Sequence, residues 1–257
     1  FDPATGEFRN YGRQGPKVPG PRYVYSMATE GDYVYSAAGK NPWYLVALNV
    51  RTGEQKILLS DPKYLSVSGG GAFASAAATF DGKDGKDEER RWTLRGGEMF
   101  ESAAQAANAA GEGVILRRDR SRVIAFSGER RMETVLGDGL MAAEGDVLAA
   151  VGSGGRAAVA SAAGVVLVNL KEAQPGVPVQ MLPRVPNAVV SAMTWTDEGA
   201  LVYALKGQNR LFSIEADGAR RELAKLHDSP RLNVGTLVAD GHFVYAATTE
   251  PQDVFIV

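Results

Sequence analysis

The feature that most constrains this chain is a repeating unit of roughly 40 residues, each copy a run of short apolar segments separated by tight-turn residues. In the clearest copy the segments are 23–28, 33–38, 43–49 and 55–59. They are separated by Glu30-Gly31-Asp32, Gly39-Lys40-Asn41-Pro42 and Arg51-Thr52-Gly53-Glu54. β-Branched and aromatic residues bounded by Gly, Asn, Asp and Pro indicate strands joined by turns. A second copy places strands at 189–195, 201–205, 210–214 and 220–225, and a third, richer in alanine, runs from Leu140 to Leu182. The stretch 64–137 is less regular and holds two further units. It contains a charged hairpin tip, Asp81 to Glu89, and an alanine-rich segment, Ser102 to Ala110, expected to be a short helix or a connector.

Short strands at this period predict an all-β fold: a β-propeller of four-stranded antiparallel blades, about six in number with seven possible, forming a single domain over 1–257. A β-sandwich is the competing architecture. Alanine and glycine in the first strands of the units favour the propeller, because small side chains let neighbouring sheets approach.

The two ends match each other. The last copy stops within its third strand, at Asp253 to Val257. Placed after Val257, the N-terminal residues align with 44–54, so that Asp2 falls at Asn49 and Thr5-Gly6-Glu7 at Thr52-Gly53-Glu54. The expectation is a last blade closed by the N-terminal strands, with Phe1 and Phe8 buried and an exposed sheet edge thereby satisfied. The competing account is a piece excised from a longer propeller.

Composition removes several functions. With 28 basic and 30 acidic residues the formal charge is -2, which argues against a nucleic-acid binder. The chain has no cysteine, so disulfides, thiolate metal sites and cysteine nucleophiles are excluded. No apolar run approaches the roughly 18 residues of a membrane helix. No signal peptide is visible, and a chain opening at Phe1 without methionine is expected to be a trimmed form, secreted or periplasmic.

The turns Asp2-Pro3-Ala4-Thr5-Gly6-Glu7 and Asn49-Val50-Arg51-Thr52-Gly53-Glu54, each following an apolar segment, carry a resemblance. They resemble bacterial propellers with quinoprotein-like or streptogramin-lyase-like repeats, and more loosely the propellers of polysaccharide lyases and rhamnosidases. The resemblance implies the fold and no catalytic residue, since the Thr-Gly pair only makes a turn. The chain departs from the quinoprotein pattern in having only Trp43, Trp92 and Trp195, and it lacks the Trp-Phe-Thr-Glu repeat of streptogramin lyases.

A few side chains are suited to chemistry. His227 and Arg231 lie in a connection between units. With Tyr25 as acid they have the residue types a lyase needs to take the proton α to a uronate carboxylate. The structural alternative is a turn capped by Asp228. His242 follows Asp240-Gly241 and reads as an exposed turn residue. Tyr23, Tyr25, Tyr33 and Tyr35 alternate on two adjacent strands, which suggests packing between blades or a sugar-stacking surface. Arg117, Arg118, Arg120 and Arg122, with Arg130 and Arg131, form the strongest basic cluster, either a solvated edge or a site for an anionic polymer. No metal-ligand spacing, nucleotide fingerprint or Gly-x-Ser-x-Gly elbow is present, and no cofactor is implied. The functional expectation is a monomeric recognition module binding a glycan or protein partner through one face. The alternative is a polysaccharide lyase acting on a uronate-containing polymer.

Overall fold

The structure is a computed structural model that describes residues 4–16, 23–128, 130–135, 147–152, 155–161, 164–170, 180–181, 189–215, 218–226, 233–249 and 252–257. The chain groups into two compact units, Phe1–Glu101 and Ser102–Val257.

In the first unit, β1 (Val24–Glu30), β2 (Tyr33–Gly39), β3 (Trp43–Asn49) and β4 (Gln55–Ser60) form one antiparallel meander. β5 (Tyr64–Gly70), β6 (Phe73–Asp81), β7 (Asp87–Arg95) and the opening residues of β8 (Glu98–Ala107) form the next. In the second unit the later residues of β8 pair with β9 (Gly113–Arg117), followed by β10 (Arg122–Ser127) and β11 (Arg130–Val135). Then come β12 (Leu148–Val151), β13 (Arg156–Ser161), β14 (Gly164–Asn169) and β15 (Gln180–Met181). The next sheet is β16 (Val190–Trp195), β17 (Leu201–Leu205), β18 (Arg210–Ile214) and β19 (Arg220–Lys225). The last is β20 (Val234–Asp240), β21 (Phe243–Thr248) and β22 (Val254–Ile256).

The first strands of successive sheets pack on one another: β1 on β5 in the first unit, β12 on β16 and β16 on β20 in the second. Up-and-down sheets stacked through their first strands are propeller blades, and the chain is an all-β propeller protein. Burial follows the strand's place in its sheet. β3 is buried on both faces through Leu48, which is why it reads as a continuous apolar run rather than an alternating one. The outer strand β19, Arg220-Arg221-Glu222-Leu223-Ala224-Lys225, is almost wholly exposed. In the first unit, Ala28, Ala37, Ala74, Ala76 and Ala78 make room for Trp43, Leu45, Leu65, Trp92 and Leu94, all buried in one core.

The segment expected to be a helix or connector, Ser102 to Ala110, is strand as far as Ala107. Alanine favours helix in isolation, but here Ala103 and Ala104 pack on the core that contains Val114, Leu116 and Val123. Tertiary packing overrides the local preference.

The N-terminal segment also differs from expectation. Residues 4–16 contain no strand. Their turn nevertheless repeats the β3–β4 turn. The Glu7 amide donates to Thr5 Oγ1 at 3.3 Å, and the Glu54 amide to Thr52 Oγ1 at 3.2 Å. Gly6 and Gly53 share the left-handed backbone, at φ 71° and 79°. Beyond that turn the segment lies on the first sheet. Arg9 donates to the carbonyls of Val50 and Arg51 at 3.3 and 3.0 Å, and the Tyr11 hydroxyl donates to Val50 O at 2.6 Å. Gln55 Nε2 returns a bond to Tyr11 O at 3.0 Å. Phe8, expected to be buried, is 80% exposed, and Phe1 lies outside the described residues. In the last sheet β22 has one strand partner, β21, among the described residues.

A buried polar network holds the turn between β7 and β8. Tyr35 is fully buried and its hydroxyl donates to Glu30 Oε2 at 3.3 Å, while the Gly97 amide donates to the same hydroxyl at 2.9 Å and the Gly96 amide to Glu30 Oε2 at 2.7 Å. Arg95 donates to Ala72 O at 3.1 Å; burial pulls its affinity for the proton down and the Glu30 charge pushes it back up. Burial, opposed by the Gly97 amide and reinforced by the Glu30 charge, holds the Tyr35 phenol well above its ordinary 10.0.

Two outcomes follow. A methyl group added at Gly97 would sit 2.5 Å from the Tyr33 ring, whereas one at Gly96 meets nothing, although both glycines are left-handed. Gly96→Ala should therefore lose only the strain of a left-handed non-glycine, about 1–3 kcal/mol, and Gly97→Ala distinctly more. Urea denaturation midpoints compare the two, and equal losses would contradict the close packing. Because the Tyr35 phenol titrates higher folded than unfolded, its contribution is fully present below the unfolded value near 10.0 and falls away as pH rises through the folded one. Unfolding free energy measured upward from pH 9 should drop for the wild type, and part of that drop should vanish in Tyr35→Phe.

Candidate functional site

An antiparallel meander sends alternate turns to opposite ends. One end of each sheet carries the turn between its second and third strands and the connection from its fourth strand onward. The other end carries the remaining turns. In the first unit the former end gathers aromatic side chains. Tyr23 and Tyr25 stand where β1 begins, Trp43 opens β3, and Tyr64 opens β5. Tyr25 packs on Trp43 with ring centroids 4.6 Å apart, Trp43 meets Tyr64 at 5.7 Å, and Tyr23 lies edge-on to Tyr25 at 6.2 Å. Trp43 is only 6% exposed, whereas Tyr23, Tyr25 and Tyr64 expose 61%, 49% and 55%. The result is a ledge: one buried indole as floor and three half-exposed phenol rings above it. The hydroxyls of these three tyrosines have no hydrogen-bond partner among the described residues.

Local backbone builds the ledge. In the β1–β2 ladder Val24 opposes Ala38 and Ser26 opposes Ala37, so Tyr25 is left outside the pairing as a β-bulge. Bulges re-aim a side chain at the rim of a sheet. Gly39, at φ 93°, opens the turn that returns the chain to Trp43; a Cβ there would lie 2.5 Å from Pro42 O. The Asp61 amide donates to Trp43 O at 3.0 Å and so seats the β4–β5 connection beside the indole. Asn41 and Asp61, which flank Trp43 in this way, have left-handed backbones at φ 49° and 63°. Both side chains are exposed, as is that of Lys40. Lys63, next to Tyr64, is held by Asp81 and Asp87 at 3.3 and 2.8 Å.

The other candidates fall elsewhere. Tyr33 and Tyr35 lie at the opposite end of β2, stacked with centroids 6.2 Å apart, and serve the packing and the polar network described above. The four tyrosines of β1 and β2 therefore divide into an exposed pair and a packed pair. His227 and Arg231 lie outside the described residues, so the lyase constellation built on them with Tyr25 has no observed geometry. His242 is exposed, with Nδ1 3.4 Å from a Glu198 carboxylate oxygen, as suits a turn residue.

The basic cluster divides as well. Arg117, Arg118, Arg120 and Arg122 surround the β9–β10 turn, where Arg120 takes a left-handed backbone at φ 56°. Arg130 and Arg131 stand at the other end of β10, with Arg130 opposite Ser127. Asp119 accepts from the amide and hydroxyl of Ser121 at 3.0 and 2.7 Å. Those bonds hold its carboxyl below the usual range, with Arg117 and Arg122 adding to the effect. Arg122 also pairs with Glu133 at 3.2 Å. Two carboxylates, Asp119 and Glu133, thus stand among the four arginines of this turn. Among the described residues no three or more acidic or histidine side chains gather closely enough to hold a metal ion. No helix there is long and apolar enough to cross a membrane.

What the sequence reading missed is the partnership of Trp43 and Tyr64 with Tyr25. The available signal was positional: each of these aromatics begins a strand directly after a turn.

No family model matches the chain, and no curated protein does. Solved structures with similar backbones include a streptogramin B lyase, at 13% identity over 91% of this chain and 82% of that one, with a TM-score of 0.49. The Cps50 (Swd1) β-propeller domain of Myceliophteria thermophila is similar at 12% identity over 91% and 83%, with a TM-score of 0.47. YCF48 bound to D1 peptide is similar at 10% identity over 91% and 77%, with a TM-score of 0.45. At these identities the likeness is one of backbone path, and no site residue carries over.

Proposed function

We propose that this propeller is a recognition module that binds a glycan or protein partner through the aromatic end of its first unit. The observation that supports this reading is the ledge of Tyr23, Tyr25 and Tyr64 over Trp43. Tyrosine and tryptophan bring large apolar area with a polar tip and little rotamer freedom to lose, which is why they dominate binding surfaces. Three rings left half in water beside two left-handed polar residues are not what packing alone selects. The lyase alternative places its base at His227 and its cation at Arg231, and no observed geometry favours it.

The test is a printed glycan array and a printed peptide array, probed with the wild type and with Tyr25→Ala/Tyr64→Ala. Truncating two anchors should weaken binding by at least ~10-fold, the scale of one lost hot spot. A wild type silent on both arrays, or equal signals from the two proteins, would overturn the reading.

A further inference from the structure

Five aspartates of this chain are followed by glycine: Asp81, Asp84, Asp138, Asp217 and Asp240. An Asp-Gly bond carries a reaction of its own. The glycine amide nitrogen attacks the aspartate Cγ, one carboxyl oxygen leaves as water, and a five-membered succinimide closes. Water then adds to either carbonyl and opens the ring. One opening restores aspartate. The other gives isoaspartate, in which the main chain runs through the former side chain. Water is the only co-reactant, and the atoms lost in the first step return in the second. Glycine favours the ring because no Cβ crowds the attacking nitrogen. In a folded chain the rate depends on how readily the local backbone opens to bring that nitrogen to Cγ.

The turns sort these pairs. Asp81 and Asp84 belong to the β6–β7 connection, where both attacking nitrogens are engaged: Gly82 N donates to Lys86 O at 2.9 Å and Gly85 N to Gly82 O at 3.1 Å. The Asp81 carboxylate is also held by Lys63 at 3.3 Å. A Cβ at Gly82 would collide with Lys86 O, so this turn is tightly closed. Asp138, Gly139 and Asp217 lie outside the described residues. Asp240 differs from the β6–β7 pair. It ends β20 and opposes Phe243, so Gly241 and His242 alone join β20 to β21. Gly241 takes the first turn position with a left-handed backbone at φ 58°. In a two-residue hairpin the ladder bonds are made by the flanking pair, and the amide of the first turn residue lies outside them. Residues 240–243 are all exposed, and a Cβ added at Gly241 meets nothing within 4 Å. The Asp240–Phe243 rung stands at the end of its ladder, where opening costs least. We infer that Asp240–Gly241 is a self-modification site, at which Gly241 N closes on Asp240 Cγ and the chain acquires an isoaspartate ahead of its β6–β7 pairs. The product adds one methylene to a connection of two residues, so the Asp240–Phe243 rung cannot close with its present geometry.

The experiment holds the intact folded chain at pH 6 and 37 °C for several weeks. Samples are digested and mapped by liquid chromatography with electron-transfer fragmentation, which distinguishes isoaspartyl from aspartyl peptides. Isoaspartate at 240 should accumulate several-fold faster than at 81 or 84. A parallel sample in concentrated urea removes the turns, and there the three rates should converge, since each aspartate precedes a glycine. Asp240→Glu would need a six-membered ring and should lose the product at 240 with an unchanged melting temperature. Equal rates at the three positions of the folded chain would overturn the inference, as would a folded chain that forms no isoaspartate at 240. A lead for 240 that persists undiminished in urea would show that the hairpin does not set the order, and would overturn it too. A 240 peptide that still isomerises in Asp240→Glu would remove Asp240 as the reacting residue.

Discussion

The close face-to-face approach of successive sheets governs everything else in this protein. A stacked sheet lies about 10 Å from its neighbour, and the space between β1–β3 and β5–β7 is filled by large and small side chains set against each other. Ala28, Ala37, Ala74, Ala76 and Ala78 leave the volume that Trp43, Leu45, Leu65, Trp92 and Leu94 occupy. This requirement fixes the middle of each strand and leaves its ends unconstrained. Polar and aromatic groups with other roles therefore collect at the ends. Trp43 belongs to both regions: its indole is part of the core, and its upper surface is the floor of the tyrosine ledge.

The two ends of the first sheet have been put to different uses. At one end Glu30, Tyr35, Gly96 and Gly97 satisfy one another in a buried network that fixes the turn between β7 and β8. A partly paired network of this kind would be worse than an apolar core, so full pairing is a condition of its survival. At the other end the same residue type, tyrosine, is left half-exposed at positions 23, 25 and 64. A phenol that is locked by a carboxylate and an amide makes structure. A half-exposed phenol propped on an indole makes a surface.

The sequence was legible where strand and turn signals agreed. The strands at 201–205, 210–214 and 220–225 lie where their patterns place them, because Gly199, Gly207 and Gly218 mark the turns that precede them and each has a positive φ. It was misleading at 102–110, where alanines that would suit a helix are small because they face a neighbouring sheet. At the N-terminus the Thr5-Gly6-Glu7 motif was correctly read as a turn. Arg9 and Tyr11 beyond it take the carbonyls of Val50 and Arg51. The arginine cluster was read as one patch because its members are near in sequence, yet a hairpin places Arg122 and Arg130 at opposite ends of the β10–β11 pair. The ledge itself was half visible. Alternation alone could not distinguish Tyr23 and Tyr25 from Tyr33 and Tyr35, because a bulge leaves no mark in the pattern of residues.

A residue outside the ladder has an unusual freedom. Its neighbours on either side are held by pairing, so its own side chain takes no part in the register. Tyr25, Ser191 and Gly235 fill such a position differently in three sheets: Tyr25 falls between the paired Val24 and Ser26, Ser191 between Val190 and Ala192, and Gly235 between Val234 and Thr236. Descent can try a new side chain at one such position while selection on register acts elsewhere. A laboratory library at Ser191 and Gly235 would leave the ladder intact and test the packing around it, since Ser191 Oγ is buried and a Cβ at Gly235 would lie 3.0 Å from the Thr249 methyl.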